Sequence, residues 1–264
     1  MKKLLFSLLA FCLVFVSCSK ESAPVENGES RMEISSCYVV KNNNTLSENF
    51  ASPIGLYILT EDNLPYDNSS YKNSASLISG QWKINAPVYV EKPGKVYAYY
   101  PYKSGDNPEA LAVDMTGQVD ILYSKASTPI APASSSLSVK LYHALSQVTV
   151  SVENEEIAGL SLLAPLAGQF NACTGVFSQQ TTGMVSSSSG KLLLIPHIPA
   201  GDTEMSIRLK GGTEYMYSLS GMDFQPGENY TFQFKLNANR ETLEITSISI
   251  EDWINDNIYN DYLR

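Results

Sequence analysis

The stretch Tyr230-Thr231-Phe232-Gln233-Phe234-Lys235-Leu236 places an apolar side chain at every second position, with Thr231, Gln233 and Lys235 between them. Side chains of an extended strand point alternately to opposite faces, so Tyr230, Phe232, Phe234 and Leu236 share one face and the polar residues share the other. The stretch therefore predicts a half-buried strand of an antiparallel sheet. The same alternation sets Met205, Ile207 and Leu209 against Glu204, Ser206 and Arg208, and Val148, Val150 and Val152 against Gln147, Thr149 and Ser151. Further strands are expected at 32–40, 55–60, 95–100, 119–123, 191–195 and 243–250. Pro93-Gly94, Gly211-Gly212 and Pro226-Gly227 separate them as turns. No window of a dozen residues repeats at 3.6, so helices should be few and short. Many short strands with regular turn signals imply an all-β chain of sandwiches or barrels.

Two strand-rich blocks of comparable size flank Ser124–Ser138, where Pro129, Pro132 and Ser134-Ser135-Ser136 interrupt the pattern. The chain accordingly divides into an N-terminal β domain over 32–135 and a C-terminal one over 136–264. The polar, low-complexity tract Thr181–Gly190 reads as a long hairpin loop inside the second block.

The N-terminus directs the chain out of the cytoplasm. Met1-Lys2-Lys3 is a basic start, and Leu4 to Val16 is apolar apart from Ser7. That run is too short for a stable membrane span, which takes roughly 20 residues, and fits the core of a signal peptide. Residues 1–17 form that peptide. Phe15-Val16-Ser17-Cys18 then offers a small residue directly before a cysteine, the arrangement a lipoprotein signal peptidase reads, so cleavage is expected between Ser17 and Cys18 with lipid on the Cys18 thiol. Phe11 before Cys12 is too bulky for the same role. Residues 18–31 are small, polar and acidic, as a flexible tether would be. Lys20-Glu21 resembles a signal that sends lipoproteins to the outer face of the outer membrane, and a solvated linker with chance charges reads equally well. Beyond Cys18 no apolar stretch is long enough to cross a bilayer, so the acyl chains alone would hold the protein in the membrane.

The formal charge is −9, and it becomes two units more negative when Lys2 and Lys3 leave with the signal peptide. Nucleic acid is disfavoured as a partner, because binding it takes a basic face that displaces counterions. Cys37 and Cys173 are too few for a disulfide framework and read as small core residues, although an oxidising compartment would permit one bond.

Catalytic spacings are absent. There is no His-Glu-x-x-His helix, no Gly-x-Ser-x-Gly elbow and no calcium loop. Between Gly183 and Gly190-Lys191 stand six residues where a phosphate loop has four, and Leu192 replaces its metal-binding Ser or Thr. Two facing carboxylates would suffice for a glycosidase, and 27 acidic residues leave that open on sequence alone. The chain reads as a non-enzyme with no cofactor and no metal. His143 and His197 read as packing or hydrogen-bonding residues, and Trp253 as a core plug. Tyr99 and Tyr102, beside Pro101, are candidate contacts for a glycan, with a structural role for the tyrosine cluster as the main alternative.

Six short motifs occur in order after the lipoprotein signal: Ile54-Gly55-Leu56-Tyr57, Gly94-Lys95-Val96-Tyr97-Ala98-Tyr99-Tyr100-Pro101-Tyr102, Asp120-Ile121-Leu122-Tyr123, Leu141-Tyr142-His143-Ala144-Leu145-Ser146-Gln147-Val148, Phe224-Gln225-Pro226-Gly227-Glu228-Asn229-Tyr230 and Ile248-Ser249-Ile250-Glu251-Asp252-Trp253. In this the chain resembles the fimbrillins of Bacteroidota, which include the major and minor subunits of type V pili. The resemblance implies two tandem transthyretin-like antiparallel β-sandwich domains of Greek-key type. It implies a pilus subunit or surface adhesin, with other fimbrial subunits as partners through β-strand donation, and no catalysis. In that family an arginine-specific protease removes the lipidated first strand. Here the first strand is followed by Lys41-Asn42-Asn43, and the nearby arginine, Arg31, precedes it, so Arg31 and Lys41 are the candidate processing positions. An anchor, a tip protein or a stand-alone surface lipoprotein binding host glycan or protein stays open beside a shaft subunit. Residues 254–264 are a candidate docking segment or a frayed tail.

Replacing Cys18 with alanine should abolish incorporation of a clickable palmitate in cells and leave unprocessed precursor on an immunoblot. Labelling that survives the substitution would place the lipid elsewhere.

Overall fold

A computed structural model of the chain describes residues 30–40, 46–66, 71–239 and 241–253. The strands are numbered along the chain. β1 (Ser30–Arg31), β2 (Glu33–Val40), β3 (Leu46–Asn49), β4 (Ile54–Thr60) and β5 (Lys72–Ile78) come first. β6 (Gln81–Ile84), β7 (Tyr89–Val90), β8 (Gly94–Tyr100), β9 (Leu111–Asp114) and β10 (Leu122–Tyr123) follow. Next are β11 (Thr128–Ile130), β12 (Ser136–His143), β13 (Ser146–Val152), β14 (Ile157–Asn171) and β15 (Val176–Ser187). β16 (Lys191–Leu194), β17 (Glu204–Leu209), β18 (Glu214–Ser218), β19 (Glu228–Leu236) and β20 (Leu243–Asp252) complete the set. One 3-10 turn, Met115–Gly117, is the sole helical element among the described residues. The expected all-β class is observed.

A nine-stranded sheet runs β3-β2-β12-β10-β8-β4-β5-β6, with β11 added to β8. It curls, so that β6 at its far end comes back beside β2. One face encloses a first core that includes Ile34, Leu56, Val96, Leu122 and Leu141. Tyr99 of β8 and Tyr123 of β10 instead join a second core. Alternation along β8 thus feeds two cores from one strand: Val96 and Ala98 go to the first and Tyr99 to the second.

The second core lies between a four-stranded sheet, β16-β13-β19-β20, and a five-stranded one, β15-β14-β17-β18 with β9 on β14. The decisive stretch behaves as its alternation requires. Tyr230, Phe232 and Phe234 are buried, and Tyr217 of the opposite sheet packs edge-on against Phe232 and Phe234 at 5.7 and 5.0 Å between ring centroids. Most ladders are antiparallel, but β2 with β12 and β13 with β19 are parallel.

Two expectations need correction. The boundary drawn before residue 136 cuts off β12, which pairs with β2 and β10 in the first sheet. In the other direction, Leu111, Val113 and Met115 precede that boundary yet lie in the second core. The chain crosses between its cores more than once, and a composition break cannot register that. The tract 181–190 is no loop either: through Ser187 it is strand β15, paired with β14. Both faces of β15 are largely exposed, so its polarity does not alternate and no period of two is visible.

β20 overhangs the second core. Ile245, Ile248 and Ile250 pair across the ladder with Phe234, Phe232 and Tyr230 and so share their face. They nevertheless remain 40%, 46% and 54% exposed, because the opposite sheet ends at β18.

Gly55 of β4 lies opposite Tyr99 of β8, and a β-carbon there would sit 2.1 Å from the tyrosine ring. The ring is fixed in the second core, so Gly55→Ala should lower unfolding stability by about 1–3 kcal/mol, the usual cost of overpacking, measurable by urea denaturation. Unchanged stability would mean that the ring is free to move aside.

Candidate assembly site

β2 is the strand on which the first sheet's margin is built. Parallel pairing with β12 runs from Glu33↔Ser136 to Val39↔Leu141, with an irregularity after Ile34. Its other edge meets β3 only near its C-terminal end, at Tyr38↔Asn49 and Val40↔Leu46. Ile34, Cys37 and Val39, with Met32 just before the strand, are buried in the first core. Polar contacts fix the register: Ser35 Oγ donates to the Leu137 carbonyl at 2.8 Å, and the Ser36 and Ser138 hydroxyls meet at 2.9 Å. The first half of β2 faces β6 across an open groove of about 670 Å³, lined by residues 31–35 and 80–84. An extended strand held between one full ladder and one partial ladder, with its apolar face in a core, is the arrangement that another strand of like pattern can reproduce.

A second constellation joins four of the motif segments. Asp120, just before β10, and His143, the last residue of β12, are both buried, with Asp120 Oδ2 2.8 Å from His143 Nδ1. The other carboxylate oxygen accepts the Ile121 N–H at 2.8 Å. Trp253 stacks on the imidazole with centroids 3.9 Å apart and an interplanar angle of 18°. Its own backbone N–H donates to the Gly227 carbonyl, and the Gly227 N–H donates to the Leu145 carbonyl, each at 2.8 Å. Ser146 Oγ adds a bond of 2.7 Å to the Gln225 carbonyl. Residues 120–123, 141–148, 224–230 and 248–253 therefore clasp one another where the first sheet meets the second core. The sequence offered no signal for the pairing of Asp120 with His143, which stand 23 positions apart.

The remaining sequence candidates fall as follows. Ser17, Cys18 and Lys41 lie outside the described residues, as does 254–264. Arg31 is exposed within β1, opposite Tyr89 of β7. Tyr99 is buried, 2% exposed, so it cannot stack on a surface glycan. Tyr102 is half-buried and packs against the second core. Trp253 is the core plug its position suggested. Cys37 and Cys173 are free thiols; Cys37 is buried and Cys173 half-buried, and burial pushes both thiols up to about 12. His197 Nδ1–H donates to the Ile195 carbonyl, 2.8 Å away, and burial lowers its pKa. Among the described residues no group of three His, Cys, Asp or Glu could hold a metal ion, and no helix is long and apolar enough to cross a membrane.

Residues 39–253 match the profile of a family described as fimbrillin-like. The chain is similar in fold to a candidate cell adhesion protein of Bacteroides uniformis, with 15% identity, a TM-score of 0.67, and 86% of this chain and 100% of that one covered. A candidate cell adhesion protein of Bacteroides ovatus gives 15%, 0.63, 86% and 99%. The tip fimbrial protein Mfa3 of Porphyromonas gingivalis, solved with a C-terminal truncation, gives 10%, 0.50, 85% and 100%. No curated protein sequence matches the chain.

Asp120→Ala leaves the buried imidazole without its partner, and stability should fall by about 1–3 kcal/mol, the cost of an unsatisfied buried polar group. In a double-mutant cycle with His143→Ala the two losses should be strongly non-additive. Simple additivity would show that the pair is not coupled.

Proposed function

The chain belongs to the fimbrillin-like family, and from that premise we propose that it is a structural or accessory subunit of a bacterial surface fimbrium that assembles by β-strand donation. Membership itself implies a place on the cell surface and association with other fimbrial subunits. The observation that carries the finer reading is the seating of β2. Taking it out would strip one whole ladder from β12 and uncover the apolar groove now filled by Ile34, Cys37 and Val39. Another subunit's extended segment, apolar at the same spacing, would restore both. Repeated head to tail, a contact of that kind does not close on itself and builds a filament.

Processing follows the same geometry. Lys41 directly follows β2, so a cut after it would release the whole strand together with the tether. A cut at Arg31, before β2, would free the tether and leave the strand seated. Until such a cut, lipid on Cys18 would hold the subunit at the outer membrane through residues 18–31.

A second reading is a stand-alone surface lipoprotein that binds glycan or host protein and keeps β2. The observation favouring it is the lack of any arginine between β2 and β4, where an arginine-specific protease would have to act.

Mass spectrometry of the N-terminus of protein recovered from native cells separates the two. Strand donation expects a major terminus at Asn42 and a ladder of oligomers from that form. A terminus at lipidated Cys18 alone would overturn donation through the β2 groove and support the stand-alone reading.

A further inference from the structure

β15 is an outer strand of its sheet. It pairs with β14 along one side, and its other side has no partner among the described residues. From Thr182 to Ser187 it keeps unbroken register with Pro165 to Leu160. The irregularity of that ladder lies before this run, where Gln179 takes a φ of 50°. A row of outward N–H and C=O groups on so regular a strand is a template for another strand.

Charge is one of the means that keep outer strands from such pairing. β6, β16, β18 and β20, which also end their sheets, each carry at least one charged residue: Lys83, Lys191, Glu214 and Glu244 respectively. β15 carries none, and residues 157–190 as a whole contain no Asp, Glu, Lys or Arg, although 17% of the chain is charged. A partner recognised by its charge finds nothing to meet here, whereas a second copy can lie against the strand without like-charge repulsion. The ladder also sets Met184 opposite Leu163, on one face, and the two stay 59% and 55% exposed at the margin of the sheet.

We propose that β15 joins two copies of the chain by antiparallel, two-fold pairing centred on Met184, which continues the sheet from one copy into the other. In this register Met184 meets Met184 of the second copy, with a Leu163 on either side, so the exposed apolar side chains form one row across the dimer. Thr182 faces Ser186 of the second copy, a hydroxyl pair on the same surface. On the opposite face Val185 meets Gly183, where no side chain competes for room. A two-fold contact engages the same edge of both copies and closes, so it yields a dimer and not a filament. β2 takes no part in it, and the proposal stands or falls apart from strand donation.

The test is sedimentation equilibrium of the purified, lipid-free mature chain with β2 in place, under reducing conditions, from micromolar to millimolar concentration. The expected result is a monomer–dimer equilibrium with no larger species. Met184→Lys brings two ammonium groups together at the two-fold axis and should raise the dimer dissociation constant by about tenfold or more. Thr182→Lys, at a second exposed position of the strand, should do the same and guards against a folding defect in the first variant. Met216→Lys alters a methionine 55% exposed on the far strand β18 and should leave the equilibrium unchanged. All three variants should keep the parent's thermal melt. A chain monomeric throughout, assembly beyond two copies, a dimer that survives both β15 substitutions, or one weakened as much by Met216→Lys would overturn the proposal.

Discussion

A carboxylate and an imidazole removed from water must satisfy each other, because an unpaired polar group in an apolar setting costs more than a hydrogen bond returns. Asp120 Oδ2 meets His143 Nδ1 in this way under the lid of Trp253, while the imidazole's buried Nε2 has no hydrogen-bond partner among the described residues. The consequence is architectural. His143 ends the last strand of the first sheet, Trp253 directly follows the last strand of the second core, and the backbone bonds through Gly227 and Leu145 hold them in register. Segments more than a hundred positions apart in the chain are therefore fixed to one point, and the two cores are held there as well as by the shared faces of β8 and β10.

With that junction fixed, the first sheet's margin becomes the adjustable part. β2 gains its place from a ladder and an apolar face alone, with no charge pair among its described contacts and only serine hydroxyls for polar contacts. Such binding is generic in sequence and demanding in pattern, which suits the proposed replacement of β2 by another chain's strand.

Strands that alternate were legible from sequence because one of their faces is buried: Tyr230 to Leu236, Met205 to Leu209 and Val148 to Val152 all appear at their expected places. Residues 176–187 were not, since a strand wet on both faces carries no period of two. Nor could composition reveal that β12 belongs with β2, because ladder partners are set by long-range packing and not by local sequence. Trp253 was readable as a plug from its apolar bulk at a strand end. The partner of His143 was not, as a lone aspartate before a short strand looks like any turn residue. Tyr99 and Tyr102 illustrate the limit of counting aromatics: alternation sends Tyr99 into the second core and the neighbouring Tyr100 against the first, where its ring meets Phe50 edge-on, and Tyr102 packs on the second.

The overhang of β20 bears on how one copy of the protein meets another. Its isoleucines and its outer edge, unpaired among the described residues, are what a second copy would need to extend the sheet. An antiparallel approach centred between Ser247 and Ile248 would, however, set Glu244 of one copy opposite Glu251 of the other, and both are exposed. Like charges facing each other across a ladder are destabilising. The acidic ends of β20 would thus disfavour that antiparallel pairing of two copies.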